Sequence, residues 1–189
     1  MIRCYRIAGC ISAVLLILGS YEVSAREQYP TTDEKCFNDH AGIIKKRDGA
    51  AMRSLCRKAA KGDVTMMVVT VGSLGDYRPR PLSVDRFVDD IFNDLDVDYE
   101  AGKNAILLFI SREENEFRIV MGDNFANPLR KKAGRIIRQT LVPNFRRRRR
   151  SRGVRLTCAR LYHKVVSPHI RALKKAKRKR PRRGVMQGP

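Results

Sequence analysis

The sequence VTMMVVTV, residues Val64–Val71, gives the clearest indication of the fold of this chain. It is an almost unbroken run of apolar and β-branched residues, with Gly62 and Asp63 before it and Gly72 after it. A strand that is apolar at nearly every position is typical of a parallel sheet whose two faces are both covered by helices. We therefore predict a buried central strand at this position.

A second strand of the same kind follows at Ala105–Ile110, with the sequence AILLFI. Between the two strands, Ser83 is a suitable N-cap for a helix, and Asp85 falls in its first turn. The apolar residues of that helix recur at helical spacing; they are Val84, Phe87, Val88, Ile91, Phe92 and Leu95. Strand, helix and strand in this order form a right-handed crossover, so we predict that the two strands are parallel neighbours.

Further elements are predicted on both sides of this unit. Phe117–Met121, after a polar turn, is suited to return as an antiparallel hairpin partner. A helix is predicted over residues 47–60, another is opened by Asn127 and Pro128, and the apolar spacing from Val154 to Val165 predicts a last helix that Pro168 ends. The fold class that follows is α/β, a three-layer sandwich with a central mixed β-sheet flanked by helices.

The positive charge of the chain is concentrated at its C-terminal end. Of the 40 Lys and Arg residues, 18 lie between Asn144 and Pro189, where there is no Asp or Glu, and the other 22 share residues 1–143 with all 19 acids. We expect Lys174–Arg183 to be disordered because it is rich in charge and poor in apolar residues. The predicted anion-binding residues are Arg146, Arg147, Arg148, Arg149, Arg150, Lys174, Lys175, Lys177, Arg178, Lys179, Arg180, Arg182 and Arg183.

The N-terminus has the pattern of a secretion signal. Arg3 and Arg6 precede an apolar run, and the small residues of the segment 23–25 suit a signal peptidase. We predict a signal peptide at 1–25, a linker at 26–35, a domain at 36–168 and a basic tail at 169–189, and hence a periplasmic or extracellular protein. The alternative is an inner-membrane protein anchored by an uncleaved signal, although the apolar run is shorter than a bilayer requires.

Three cysteines, Cys36, Cys56 and Cys158, lie outside the predicted signal. An oxidising compartment permits one disulfide and one free thiol, with three possible pairings, and burial of all three as small core residues is the alternative. The histidines are scattered, and no order of Ser, His and Asp supports a catalytic triad.

Several short motifs, taken in order, resemble the TPM domain family, which includes thylakoid photosystem II repair proteins and exported bacterial proteins. The opening motif is FNDHAGI at residues 37–43. The resemblance continues through VTVGSLG, GKNAILLFIS, FRIVMG and GRII, and it covers roughly residues 36–167. It implies an α/β sandwich, which the periodicity of the sequence predicts independently.

The resemblance also implies phosphatase activity and calcium bound by acidic residues at the end of the sheet, where carboxylates hold a hard cation that polarises a phosphoryl oxygen. Asp39 matches the acid of the family's Asn-Asp pair, but Lys103 and Ala126 stand where two other acids are expected. Asp123 is the remaining candidate ligand. We therefore predict a degenerate site with weak calcium binding or none, in which the ammonium of Lys103 lies beside Asp39 and replaces the metal ion.

The preferred function is a binding or scaffolding module at the cell envelope, attached to an anionic membrane or an anionic envelope polymer by its basic residues. The alternative is a divalent-metal-dependent phosphatase of the TPM type, and a solubilising tail without a target is a third interpretation. Nucleic acid is a poorer candidate because the tail has no aromatic side chains for base stacking. The sequence identifies no protein partner.

Overall fold

The computed structural model describes residues 29–30, 32, 36–77, 83–94 and 102–179. The described strands form one sheet in the order β1 (Phe37–Asp39), β2 (Thr65–Val71), β3 (Ala105–Ser111) and β4 (Glu116–Met121). The helices, in chain order, are α1 (Lys46–Ala60), α2 (Val84–Asp94), α3 (Asn127–Ile136), α4 (Val142–Arg146), α5 (Arg150–Leu161) and α6 (Ser167–Lys179).

The sheet is mixed, as predicted. Strands β1, β2 and β3 are parallel, and β4 is antiparallel to β3. Asp39 is the register partner of Thr70, and Ser111 is that of Val71, so the carboxyl ends of the three parallel strands meet at one edge, which we call the carboxyl edge. The amino edge lies at the opposite end, where the sheet begins with Ala105 of β3. Strand β1 was not predicted, because three residues are too few to show a period.

One face of the sheet is covered by α2. Its buried residues Phe87, Val88 and Ile91 pack against the β2 and β3 side chains that point to this face, including Val69 and Phe109. The rings of Phe87 and Phe109 meet edge to face with centroids 5.8 Å apart. Full burial of one such side chain contributes roughly 1.5 to 3 kcal/mol, so this helix is firmly attached to the sheet.

The other face is covered by α1 and by the helices that follow β4. Met52 of α1 and Val154, Cys158 and Leu161 of α5 are fully buried in the same core as Val68 of β2. Helices therefore lie on both faces of a mixed sheet, which confirms the predicted three-layer α/β sandwich.

The C-terminal helices contain two turns of π-helix, at Ile137–Leu141 and Tyr162–Val166. The second turn joins α5 to α6, so the prediction that the last helix ends at Pro168 is wrong. In the π turn the N–H of Ser167 donates to the carbonyl of Tyr162, a longer connection than in an α-helix. A wider turn directly before Pro168 accommodates a residue that has no N–H to donate.

The predicted disorder from Lys174 onward is also wrong as far as Lys179, because α6 continues to that residue. Ile170 is buried, Leu173 packs against the core, and Lys177 Nζ lies 2.7 Å from Asp63 Oδ2. The high charge of the segment obscured these anchoring positions. The predicted tail residues 180–189, with Arg180, Arg182 and Arg183, lie outside the described residues.

A disulfide joins Cys36 to Cys56, with 5.7 Å between their Cα atoms, and so ties the start of β1 to α1. Cys158 is a buried free thiol. Of the two arrangements left open by the sequence, one bridge with one free thiol is therefore the one found. Burial raises the pKa of Cys158 to about 12, so this thiol is unreactive in the folded protein.

Among the described residues, none of the helices combines the length and the apolar content needed to cross a bilayer. The predicted signal peptide at 1–25 lies outside the described residues.

Candidate functional site

Asp39, the first candidate metal ligand, lies at the carboxyl edge and is engaged by the protein itself. Its Oδ1 accepts hydrogen bonds from the Ile43 amide at 3.1 Å and from Thr70 Oγ1 at 2.6 Å, and its Oδ2 accepts from the Ile44 amide at 2.8 Å. The turn between these residues contains Gly42 in the left-handed region, with φ of 62°. The Asp39 carboxylate therefore holds together the turn that leads into α1.

Lys103 does not lie beside Asp39. It precedes β3 at the amino edge, whereas Asp39 is the register partner of Thr70 near the carboxyl end of β2. The five residues of β2 that separate these ends correspond to about 17 Å at the usual rise of a strand. The predicted replacement of a metal ion by a Lys103–Asp39 ion pair is therefore wrong. Sequence matching alone did not show which end of each strand the two residues occupy.

Lys103 instead faces the loop that follows β4. The Asn124 amide donates to the Lys103 carbonyl at 3.1 Å, and Gly122 approaches so closely that a Cβ there would lie 2.1 Å from the Gly102 carbonyl oxygen. Asp123, in the same loop, has a side chain that is 96% exposed and lies 4.0 Å from Arg130 Nη2. The amino edge thus brings together Lys103 and Asp123, which the sequence had assigned to one site with Asp39.

A cleft of about 400 Å³ opens at this edge, and Asp89, Lys103 and Asp123 contribute to its lining. Within the described part of the chain, no three Asp, Glu, His or Cys side chains come together as a metal site would require. Residues 95–101, which include Asp96, Asp98 and Glu100, fall in the chain between the lining residues Asn93 and Gly102 and lie outside the described residues.

His169 of α6 attaches the last helix to the amino edge. Its ring stacks on Phe125 with centroids 3.9 Å apart, and its Nε2 lies 2.9 Å from Asn104 Oδ1. Burial lowers the pKa of His169 below its ordinary value. The neutral imidazole is therefore part of the packing here, and sequence analysis missed it because it assigned residue 169 to the tail.

Glu114 organises the carboxyl edge. It accepts hydrogen bonds from Ser111 Oγ, from Ser73 Oγ at 2.6 Å and from the Leu74 amide at 3.0 Å. Burial acts to raise the pKa of Glu114, but the hydrogen bonds from Ser111 and Ser73 outweigh it and hold the pKa below its ordinary value. The carboxylate fastens the loop after β2 to the end of β3, a role with no signal in the sequence pattern.

The basic residues form two separate surfaces. The arginine loop, Arg146–Arg150, joins α4 to α5 at the carboxyl edge; four of its residues are exposed, and Arg148 has a left-handed φ of 54°. The second surface is the basic face of α6, which consists of the exposed residues Arg171, Lys174, Lys175 and Arg178. Arg149 and Lys174 lie 25 positions apart along one nearly continuous helix, which corresponds to about 37 Å.

The arginine loop also forms one wall of a cleft of about 460 Å³. The opposite wall comes from the turn after β1, from Lys45 and from Arg112 of the loop after β3. This cleft lies at the carboxyl edge, where open α/β sheets usually bind ligands.

Comparison with known proteins agrees with this architecture. The family model described as TPM domain matches residues 37–164. The solution NMR structure of the N-terminal domain of a protein from P. gingivalis is similar, with a TM-score of 0.57 and 20% sequence identity; the match covers 72% of this chain and 85% of that one. At this identity the likeness concerns the fold alone. No curated protein matches this sequence. Because the family model spans most of the described core, this chain belongs to the TPM domain family.

Proposed function

We propose that this TPM domain protein is an exported binding module, held at an anionic membrane or an anionic envelope polymer by the basic face of α6. The observation that carries the proposal is the rigid presentation of these cations. The opposite side of α6 is fixed by His169, Ile170 and Leu173, so the exposed lysines and arginines project from an ordered helix.

The charges of this face are available to a partner. Among the described residues, the side chains of Lys174, Lys175 and Arg178 have no carboxylate within ion-pair distance, whereas the neighbouring Lys177 is paired with Asp63. Each basic residue near an anionic membrane contributes about 1 kcal/mol to the binding free energy. The four residues of the basic face, which are these three and Arg171, therefore supply about 4 kcal/mol. This attraction decays within the Debye length and therefore weakens steeply with salt.

Vesicle flotation tests this proposal. The full chain is expected to bind vesicles rich in phosphatidylglycerol at low salt, to leave them at high salt, and to ignore vesicles of phosphatidylcholine alone. The triple variant Lys174→Gln, Lys175→Gln, Arg178→Gln should lose about 3 kcal/mol of binding, roughly a hundredfold.

A matched control removes the same number of charges from the other basic surface, as Arg146→Gln, Arg147→Gln, Arg149→Gln. Because this loop lies about 37 Å away along the helix, the control should retain most of the binding. Equal losses in the two triple variants would show that net charge, and not the face of α6, drives attachment.

Export is the second part of the proposal, and it is supported by the signal-like sequence of residues 1–25. Residues 1–35 can be fused to a reporter enzyme that is active only outside the cytoplasm. We expect the fusion to be active and to lose its activity when Arg3, Arg6 and the apolar run are altered. An inactive fusion would contradict export.

The third part concerns the amino edge, where we propose a degenerate acidic site with weak calcium binding or none. The presence of Lys103 in the cleft that Asp89 and Asp123 line supports this proposal, because an ammonium group disfavours a divalent cation. A small change of melting temperature on addition of calcium is expected, and a large rise would contradict it.

The competing function is a metal-dependent phosphatase, which the two carboxylates of the same cleft favour. It requires calcium-dependent turnover of an aryl phosphate that is abolished by Asp123→Asn. Asp123 suits this test because its exposed side chain can be changed without loss of folding.

A further inference from the structure

The cleft behind the arginine loop is strongly cationic. Among the described residues that line it, six are basic and one is acidic; the basic residues are Lys45, Arg112, Arg148, Arg149, Arg150 and Arg152. Nothing in the proposed attachment through α6 uses this cleft, which lies at the opposite end of the long C-terminal helix.

The single acid of the cleft, Asp48, does not neutralise it. Its Oδ1 lies 2.8 Å from Arg155 Nε, and its Oδ2 accepts a hydrogen bond from Ser151 Oγ at 2.5 Å. The side chain of Asp48 is only 16% exposed, and its carboxylate is engaged by the ion pair with Arg155 and by the hydrogen bond that fixes the start of α5. Within the described part of the chain, Lys45, Arg148, Arg149, Arg150 and Arg152 form no ion pair with a carboxylate. The sixth cation, Arg112, is paired with Glu113 through its Nη2, at 3.0 Å.

The backbone adds further positive character. Helix α1 begins at Lys46 and α5 begins at Arg150, and both starts lie at the lining of this cleft. Neither N-cap residue, Lys45 or Arg149, provides a side-chain hydrogen bond to the first turn. Two helix N-termini, each with partial positive charge and without a side-chain cap from its N-cap residue, therefore meet at one cleft.

Arg150, another residue of the lining, carries a donor that the described part of the chain leaves unsatisfied. Its Nε is buried and has no hydrogen-bond partner among the described residues. A buried donor without a partner costs about 1 to 3 kcal/mol, more when the group is charged.

We propose that this cleft is a binding site for a diphosphate group, which the protein holds as a ligand. One phosphoryl group fits the arginine loop and the start of α5, and the other fits Arg112, Lys45 and the start of α1. Two adjoining phosphoryl groups carry three to four negative charges between them, which suits the five cations that have no ion pair among the described residues better than a single phosphate does. The volume of about 460 Å³ accommodates a diphosphate and leaves room for a substituent.

Guanidinium groups favour this chemistry because their fixed fork donates two parallel hydrogen bonds to one phosphoryl group. The site is separate from the amino-edge cleft of Asp89 and Asp123, so it does not depend on whether that cleft binds calcium or hydrolyses a phosphate ester. It is also independent of attachment through α6, and the two proposals can fail separately.

Isothermal titration of the full chain with inorganic diphosphate tests the site. One diphosphate per chain is expected, bound at least about tenfold more tightly than orthophosphate or sulfate. Titrations with a nucleoside diphosphate and with an isoprenyl diphosphate identify the natural ligand. If one of these esters binds more tightly than inorganic diphosphate, the ligand carries that substituent; if all three bind equally, the ligand is free diphosphate. Equal affinities for diphosphate, orthophosphate and sulfate would overturn the proposal.

Variants separate a built site from general attraction. The double variant Arg149→Lys, Arg152→Lys keeps every charge but loses the guanidinium forks, and it should weaken diphosphate binding about tenfold. The control Lys174→Ala, Lys175→Ala removes two charges at the far end of the helix and should leave the affinity nearly unchanged. Unchanged binding in the first variant, with its melting temperature preserved, would overturn the proposal, as would an equal loss in the control.

Discussion

Replacement of Asp39 by Ala is the sharpest test of how the carboxyl edge is built. The substitution removes three hydrogen bonds, from the Ile43 and Ile44 amides and from Thr70 Oγ1. At about 1 kcal/mol each, their loss should lower the free energy of unfolding by about 3 kcal/mol. Because a urea m-value of roughly 1 to 3 kcal/mol per molar is typical, the midpoint should fall by about 1 to 3 M.

Urea unfolding followed by circular dichroism, without calcium and with it, provides the measurement. Asp123→Ala is the matched control, because it removes a carboxylate that is 96% exposed and should change stability by less than about 0.5 kcal/mol. If the two variants had equal midpoints without calcium, and if calcium stabilised the wild type but not Asp39→Ala, then Asp39 would be a metal ligand and its role in holding the turn before α1 would be refuted.

Three further predictions follow from the packing. Reduction of the Cys36–Cys56 disulfide, which spans a sequence separation of 20, should cost about 3 kcal/mol by loop-closure entropy, measured as the difference in urea midpoint with and without reductant. The Cys158 thiol, whose pKa burial raises to about 12, should resist an alkylating reagent in the native protein and react at once in denaturant; rapid native labelling would contradict its burial. Burial lowers the pKa of His169 below 6.5, so on acidification the unfolded chain binds a proton before the folded protein does. The contribution of His169 to the free energy of unfolding is therefore complete above pH 6.5 and should be lost as the pH falls through the pKa of the folded protein. Urea midpoints at neutral pH and at about pH 5 should therefore differ less in His169→Phe than in the wild type.

The sheet core could be predicted from the sequence because its strands are locally unambiguous. Thr65–Val71 and Ala105–Ser111 are apolar at nearly every position and are bounded by turn residues. Their pattern and their composition therefore both indicate buried strands. The same reasoning could not extend to Phe37–Asp39, whose place in the sheet is set by pairing with β2 and not by any local pattern.

The candidate site was harder to predict because its geometry depends on strand direction. Sequence matching placed Asp39 and Lys103 in one site, but the parallel register puts them at opposite edges. The cationic cleft depends on a contact between residues far apart in sequence, since Ser151 Oγ accepts from the Lys45 amide at 2.9 Å. No one-dimensional pattern contains that information.

The tail shows how composition can mislead. A run rich in Lys and Arg suggests disorder when its apolar content is averaged, yet His169, Ile170 and Leu173 recur on one side of a helix and anchor it. The packing of these three residues is enough to keep the segment helical despite its high charge, since most helical stability in proteins comes from packing. The charge is therefore presented by an ordered surface as far as Lys179.

Amide NMR of the isotope-labelled protein, with anionic bicelles added stepwise, locates on the chain the contact by which the protein attaches to an anionic surface. The first amides to lose intensity should be those around Lys174, Lys175 and Arg178, and added salt should restore them. Losses that begin at the arginine loop, or that spread evenly over the surface, would contradict attachment through the basic face of α6.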